Sequence, residues 1–332
     1  MASVLQNLTY LQEYAYSWLR SAPKKEEHPL KIGILSTADI NSASIIHPAE
    51  MHPDVVLYAI ASRDVATAKS YAKKYGFQKF FGSYEELLND AEVDFVYISL
   101  PNSMHYEWAL KAIEAGKPAL VEKPFTDNHE EAIKLVQTAK KKNIILMEAF
   151  HWQFHPAAHL FREILNEEDE GGEGEGSVGK IMSTEAWMTT TPWIPKKDIR
   201  WKYDLGGGSL MDDTYVLSFT RFALNAGSPH HVITAKARLD KDDPRVDAAM
   251  NSTLLFESSV NAPKGEEYEV HCSIYTDFQR AWAFHLIPRV WELPSIKVET
   301  EKKIIFFYNA MMPHLYHFIS ITDKKTGKTQ YK

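Results

Sequence analysis

Pro118-Ala119-Leu120-Val121-Glu122-Lys123-Pro124 decides the fold, because an apolar run that reads as a buried strand delivers a lysine directly at its carboxyl end. Open α/β sheets carry their chemistry at that end of their strands. A lysine drawn away from bulk water there serves as a proton donor or as an electrostatic clamp on a substrate oxygen. For the tripeptide alone, a solvated lysine at a strand end is the plain alternative.

The flanking sequence extends the pattern. Val93-Asp94-Phe95-Val96-Tyr97-Ile98-Ser99-Leu100 reads as a second buried strand, closed by Pro101-Asn102 and followed by a helix over residues 104–115 that ends at Gly116. Lys31-Ile32-Gly33-Ile34-Leu35 and Val55-Val56-Leu57-Tyr58-Ala59-Ile60-Ala61 are two more apolar strands, with a helical segment over 40–51 between them. Strands alternating with helices predict a parallel, doubly wound sheet that binds its ligand across the carboxyl ends of the strands.

The first turn of a dinucleotide-binding sheet usually carries Gly-x-Gly-x-x-Gly. Here it reads Ser36-Thr37-Ala38-Asp39-Ile40-Asn41, with small residues at the first two motif positions and asparagine at the third. Backbone amides at a helix start can hold a pyrophosphate without glycine if the side chains allow close approach; an ordinary β-to-α turn is the alternative. The second strand ends in Ser62-Arg63-Asp64. An arginine at that place suits the extra phosphate of NADP, since a guanidinium offers paired donors to phosphate oxygens. A solvated turn arginine is the alternative there.

The order of these features, with Pro101-Asn102-Ser103-Met104-His105, Gly116-Lys117-Pro118 and Glu148-Ala149-Phe150, resembles the glucose-fructose oxidoreductase and inositol dehydrogenase family, and within it the branch containing dimeric dihydrodiol dehydrogenase and NADP-dependent D-xylose dehydrogenase. The resemblance runs over residues 31–316. It implies an α/β architecture, an amino-terminal Rossmann domain with a doubly wound parallel sheet and a carboxyl-terminal α+β domain with an open antiparallel sheet. It implies hydride transfer between NADP(H) and a sugar or polyol, with D-xylose or a trans-dihydrodiol as examples. Ser36, Thr37, Ala38, Ile40, Ser62 and Arg63, with Leu100, Pro101, Asn102, His105, Glu122 and Lys123, are the expected coenzyme contacts, and no metal is expected. A homodimer through the carboxyl-terminal sheet is implied as well. Family members often carry arginine where Gln153 stands, and they continue past the point matching Tyr316 into a final helical segment, so this chain, which stops at Lys332, is expected to lack it.

Composition is compatible with this. The 332 residues and 45% hydrophobic content suffice for two cores. A net charge of -7 argues against a nucleic-acid surface, which needs a concentrated basic face. The single cysteine, Cys272, excludes an intrachain disulfide framework and suits a reducing, cytoplasmic setting. No apolar stretch is long enough to span a bilayer. An amphipathic helix over 3–20 and a linker are expected to fill 1–29, the NADP-binding domain 30–150, and the substrate and dimerisation domain 151–332. The acidic, glycine-rich run over 167–176 is expected to be a mobile loop.

A second constellation is Gly206-Gly207-Gly208-Ser209-Leu210-Met211-Asp212-Asp213-Thr214-Tyr215. Three glycines permit close backbone approach, and a helix to residue 224 would set Asp212 and Tyr215 three apart on one face, able to meet Lys123 across a cleft. The resemblance implies a tyrosine or histidine acting as acid or base beside the lysine, usually four residues after the aspartate. Tyr215 comes one position early, so either the helix start is rearranged or Asp213 is the equivalent. The expected catalytic group is therefore Lys123, Tyr215 and Asp212. Trp152, His155 and Trp193, with Asp212 and Tyr215, are the expected substrate contacts, His155 being open to a structural reading. Five antiparallel strands are expected over 231–239, 250–257, 267–275, 279–286 and 303–308. A coenzyme-binding regulator without turnover, or an inactive truncated member of the family, are the alternatives to a dehydrogenase.

Overall fold

The computed structural model describes residues 22–166, 178–190 and 194–332. The helix expected over 3–20, the acidic run over 167–176 and Trp193 lie outside the described residues. The chain divides into two compact units: one runs to Ala149 and includes Asp204–Gly206, and the other holds Phe150–Tyr203 and Gly207–Lys332.

The first unit is built on six strands, β1 (Leu30–Leu35), β2 (Val55–Ala61), β3 (Lys79–Phe81), β4 (Phe95–Ile98), β5 (Ala119–Val121) and β6 (Leu146–Glu148). They lie in the order β3-β2-β1-β4-β5-β6 and every pairing is parallel. The alternation that makes the strands also makes two cores. Ile32, Ile34, Ile60 and Tyr97 pack on one face, and Leu35, Ala59, Ala61, Val96 and Ile98 on the other. Gly33 is required within β1, since a Cβ there would stand 2.7 Å from Leu87 Cδ2 and 2.9 Å from Val93 Cγ1. Chain order reverses between β1 and β4, and in such sheets that crevice is where ligands bind.

The second unit carries an eight-stranded sheet in the order β14-β13-β12-β11-β7-β10-β9-β8. Its strands are β7 (Ile181–Thr189), β8 (His231–Leu239), β9 (Asp247–Ser258), β10 (Tyr268–Asp277), β11 (Ser295–Thr300), β12 (Lys303–Tyr308), β13 (Phe318–Asp323) and β14 (Thr329–Tyr331). All neighbours are antiparallel except β7 and β10, so the sheet is mixed at one pair. The helices Pro156–Leu165 and Tyr215–Leu224 bury Phe161, Ile164, Val216 and Phe219 against one face, with Phe256, Ile274, Val298 and Phe307 beneath them. The strand expected over 279–286 does not form. Phe284 and His285 adopt left-handed φ values of 52° and 60°, which turn the chain back so that only an isolated Ala283–Ile287 bridge results. No helix among the described residues is long and apolar enough to cross a membrane.

Candidate functional site

In the first unit, Ser36–Ala38, Ser62–Arg63, Ser99–Asn102 and Glu122–Lys123 follow the carboxyl ends of β1, β2, β4 and β5. The β1 turn is held by side chains where glycines are usual. Ser36 sits at φ 143°, a backbone region that favours glycine. Its Oγ receives the Ala38 amide at 3.1 Å, donates to Ser99 O at 3.0 Å and lies 2.8 Å from Ser99 Oγ. Asn41, fully buried, donates to Ser36 O at 2.9 Å and accepts from Ser99 Oγ at 2.6 Å. The helical segment that follows opens as a wide π turn, Ser42–Ile46, before the short α-helix His47–Glu50. Thr37 and Ala38 are half-buried and Ile40 is exposed at the rim. Small side chains and a backbone pinned from below fit a pyrophosphate against the chain.

At the end of β2, Asp64 caps the helix Val65–Tyr75, accepting from the Ala66 and Thr67 amides at 3.2 and 3.0 Å. Arg63 stays exposed, and its charge partly offsets the upward push of burial on the Tyr84 phenol. A cation is thus presented where the nearest acid is engaged as a cap, which fits a 2′-phosphate rather than a free ribose diol.

The lysine loop is braced on both sides. Glu122 accepts from the Tyr97 hydroxyl, which is itself 2.9 Å from Ser44 Oγ, while Glu148 accepts from the Phe125 amide at 2.9 Å. Lys123 is half-buried at its apex. His105, expected as a coenzyme contact, is instead fully buried between two carbonyls, with Nδ1 2.7 Å from Pro124 O and Nε2 2.9 Å from Leu100 O. Burial pushes its pKa down, and the two carbonyls pull it back up. It staples the Leu100 turn to the lysine loop. Asn102 donates to Gly206 O at 2.9 Å, within the same unit.

In the second unit the glycine turn opens two helices, not one. Ser209–Asp212 stops, the chain bends at Asp213–Thr214, and Tyr215–Leu224 begins afresh, so the expected shared face for Asp212 and Tyr215 is corrected. Asp247 ties down the start of the first helix, accepting from Ser209 Oγ at 2.5 Å and from the Leu210 amide at 2.9 Å. Asp212 is engaged by Arg200, whose Nε lies 2.7 Å away and whose Nη1 reaches Asp198 at 3.1 Å. The Asp212 charge is the largest cause of the raised Arg200 pKa. Arg200 was not legible beforehand, since its partner lies twelve residues along and only the folded turn brings them together.

Tyr215 is 5% exposed, packed edge to face on Phe150 with ring centroids 5.3 Å apart, and its hydroxyl lies 3.5 Å from His151 Nδ1. Trp152, expected as a substrate contact, is 1% exposed; it packs against Phe219 and Phe222 and donates Nε1 to Ser218 Oγ at 3.1 Å, which makes it a core residue. His155 caps the helix Pro156–Leu165, accepting from the Ala157 amide at 3.1 Å, and its ring meets His317 at 5.4 Å. Burial, then the His317 charge, lowers its pKa. No group of side chains able to hold a metal ion occurs among the described residues.

Residues 30–150 match the oxidoreductase family described by an NAD-binding Rossmann fold. D-xylose 1-dehydrogenase (NADP(+)) 2 of Haloferax volcanii is 34% identical over 250 residues, covering 73% of this chain and 73% of that protein. The chain belongs to this oxidoreductase family. Trans-1,2-dihydrobenzene-1,2-diol dehydrogenase of Xenopus tropicalis is 30% identical over 237 residues, covering 70% of this chain and 67% of that one. The match to a dTDP-sugar 3-reductase of Actinomadura kijaniata is 35% identical but spans only 53% of that relative's length. Among solved structures, a 3-ketoreductase from Actinomadura kijaniata in complex with NADP and TDP-benzene superposes with a TM-score of 0.73 at 25% identity, over 92% of this chain and 84% of that one. As a family member the chain is an oxidoreductase, and its first unit holds the family's nicotinamide-coenzyme domain.

Proposed function

We propose that the protein is an NADP-dependent dehydrogenase or reductase acting on a CH–OH group of a sugar or polyol, such as an aldose oxidised to its lactone or a trans-dihydrodiol. The observation that carries the coenzyme choice is the pairing of an exposed Arg63 with an Asp64 already committed to a helix cap. The named relatives act on substrates of this class. Ser36–Ala38 and Asn102 hold the coenzyme, and the bound coenzyme takes up or returns the hydride. Lys123 clamps the substrate oxygen, and Tyr215 handles its proton. Asp212, paired with Arg200, orients the turn rather than acting as the base.

The test is turnover of a panel of aldoses and dihydrodiols, followed by absorbance of the reduced nicotinamide with NADP or NAD. Turnover with NADP is expected. Arg63→Ser should weaken NADPH by about tenfold or more, the worth of lost charge-assisted hydrogen bonds, and leave NADH unchanged. Equal loss for both coenzymes would sink the phosphate assignment. A coenzyme-binding regulator is a second reading, favoured by the burial of Tyr215 and the ion pair of Asp212; binding without turnover on the whole panel would decide for it.

A homodimer through the second sheet belongs to the same proposal. Phe306, Tyr308 and Phe318 point away from the core, with Trp187 stacked on Phe306 at 5.7 Å and Tyr308 stacked on Phe318 at 5.0 Å. Tyr316 and Tyr331 extend the patch at 64% and 70% exposure. A contiguous aromatic face of this kind marks an association surface. Light scattering across a dilution series should give twice the chain mass; a monomer throughout would refute it.

A further inference from the structure

This inference rests on the reading of Tyr215 as the group that handles the substrate's proton. With 5% of its surface exposed, Tyr215 needs a route by which that proton leaves. Its hydroxyl faces Nδ1 of His151 at 3.5 Å, and the two rings meet at 70° with centroids 5.9 Å apart. His151 is exposed, and its Nε2 lies 3.0 Å from Met311 O. A carbonyl oxygen can only accept, so Nε2 carries a proton and, in the neutral ring, Nδ1 turns its lone pair toward the phenol. The backbone of residue 311 thereby selects the tautomer that a proton acceptor requires.

We propose that His151 is the proton outlet of Tyr215, a positioning residue that acts through the phenol and links it to solvent. In the oxidising direction the substrate hydroxyl gives its proton to the Tyr215 oxygen, as the phenol O–H bond breaks and an N–H bond forms at Nδ1. The imidazolium then gives up the Nδ1 proton to water while Nε2–H stays on the Met311 carbonyl, and both groups are restored. The electron pair leaving the substrate carbon goes with the hydride to NADP, the oxidant of the proposed reaction. His314, from the segment between β12 and β13, interacts with His151 and His155; burial, then the charges of both, lowers its pKa. Phe150 packs edge to face on the phenol ring.

The experiment compares wild type with His151→Ala, His151→Asn and Tyr215→Phe, measuring kcat and KM across pH, with and without added imidazole, and NADPH binding by tryptophan fluorescence as a check on folding. In wild type, kcat should fall at acid pH as Nδ1 becomes protonated and stops accepting. His151→Ala should lower kcat by about a hundredfold, the usual worth of a proton-transfer group, with KM and NADPH binding unchanged and the acid limb gone. Imidazole should restore much of the loss. His151→Asn offers an acceptor but no proton shuttle and should stay slow, and the double variant with Tyr215→Phe should be no slower than Tyr215→Phe alone. Wild-type kcat in His151→Ala, or full rescue by His151→Asn, would overturn the proposal. Full activity in Tyr215→Phe would overturn it together with the reading beneath it, and that result is visible before any His151 variant is compared.

Discussion

Ser36 and Gly208 adopt almost the same unusual backbone angle, φ 143° and 144°, at the two turns that open helices beside the candidate site residues. At Gly208 the angle is met by removing the side chain, since a Cβ there would stand 2.4 Å from Asp247 Oδ1. At Ser36 it is met by keeping a side chain and tying it down, through Ser99 and Asn41. A missing glycine motif therefore does not mean a missing turn, because a buried polar network offsets the strain that glycine would avoid. The converse also holds. Three glycines at 206–208 did not give the second turn its expected continuation, because the helix breaks at Asp213–Thr214 and sends Tyr215 into the core.

Gly208→Ala should do the greater damage. Strain at that φ and overlap with Asp247 together cost about 2–5 kcal/mol, read as a lower urea midpoint; an unchanged midpoint would show that the turn can relax. Asn41→Ala comes next. It leaves the Ser36 carbonyl and the Ser99 hydroxyl short of a partner, for a loss of about 1–3 kcal/mol and a weaker hold on NADPH. If affinity survives intact, the network does not shape the coenzyme turn.

The smallest effect sharpens the comparison at Gly206, where a Cβ would stand 2.4 Å from Asp127 Oδ1. That oxygen is buried with no hydrogen-bond partner among the described residues. Burial, then the Glu131 charge, raises the Asp127 pKa. A raised folded-state value means that the native state favours the protonated acid, so stability falls as pH rises through that value. Asp127→Asn should accordingly raise Tm slightly at neutral pH, with the gain fading below the ordinary aspartate range. A lower Tm at neutral pH would mean that the carboxylate has a stabilising partner.

Much of the first unit was legible because its strands are buried on both faces and read as continuous apolar runs. Lys123 and Arg63 follow such runs directly, so strand position alone puts them at the carboxyl edge. Helix phase is harder to read. A one-residue change between Asp212 and Tyr215 rotates every later side chain, and only the packing of Tyr215 against Phe150 and Phe219 settles which way it turns. The strands Ser295–Thr300 and Phe318–Asp323 were missed, and a strand was expected where Phe284 and His285 turn the chain back. Alternating apolar residues in an exposed loop mimic a strand pattern, and positive φ at non-glycine residues leaves no mark in the sequence. Trp152 misled for a related reason: an aromatic beside a motif wall and an aromatic in the core look alike until burial is known.

The most direct test of the account is the behaviour of Lys123→Ala on a substrate that wild type turns over, with NADPH titrated on the same sample. Coenzyme should still bind, while turnover falls by about a thousandfold, the scale set by removing one preorganised group from a developing charge. Turnover within a few-fold of wild type, with coenzyme still bound, would contradict the placement of the reaction at the end of β5.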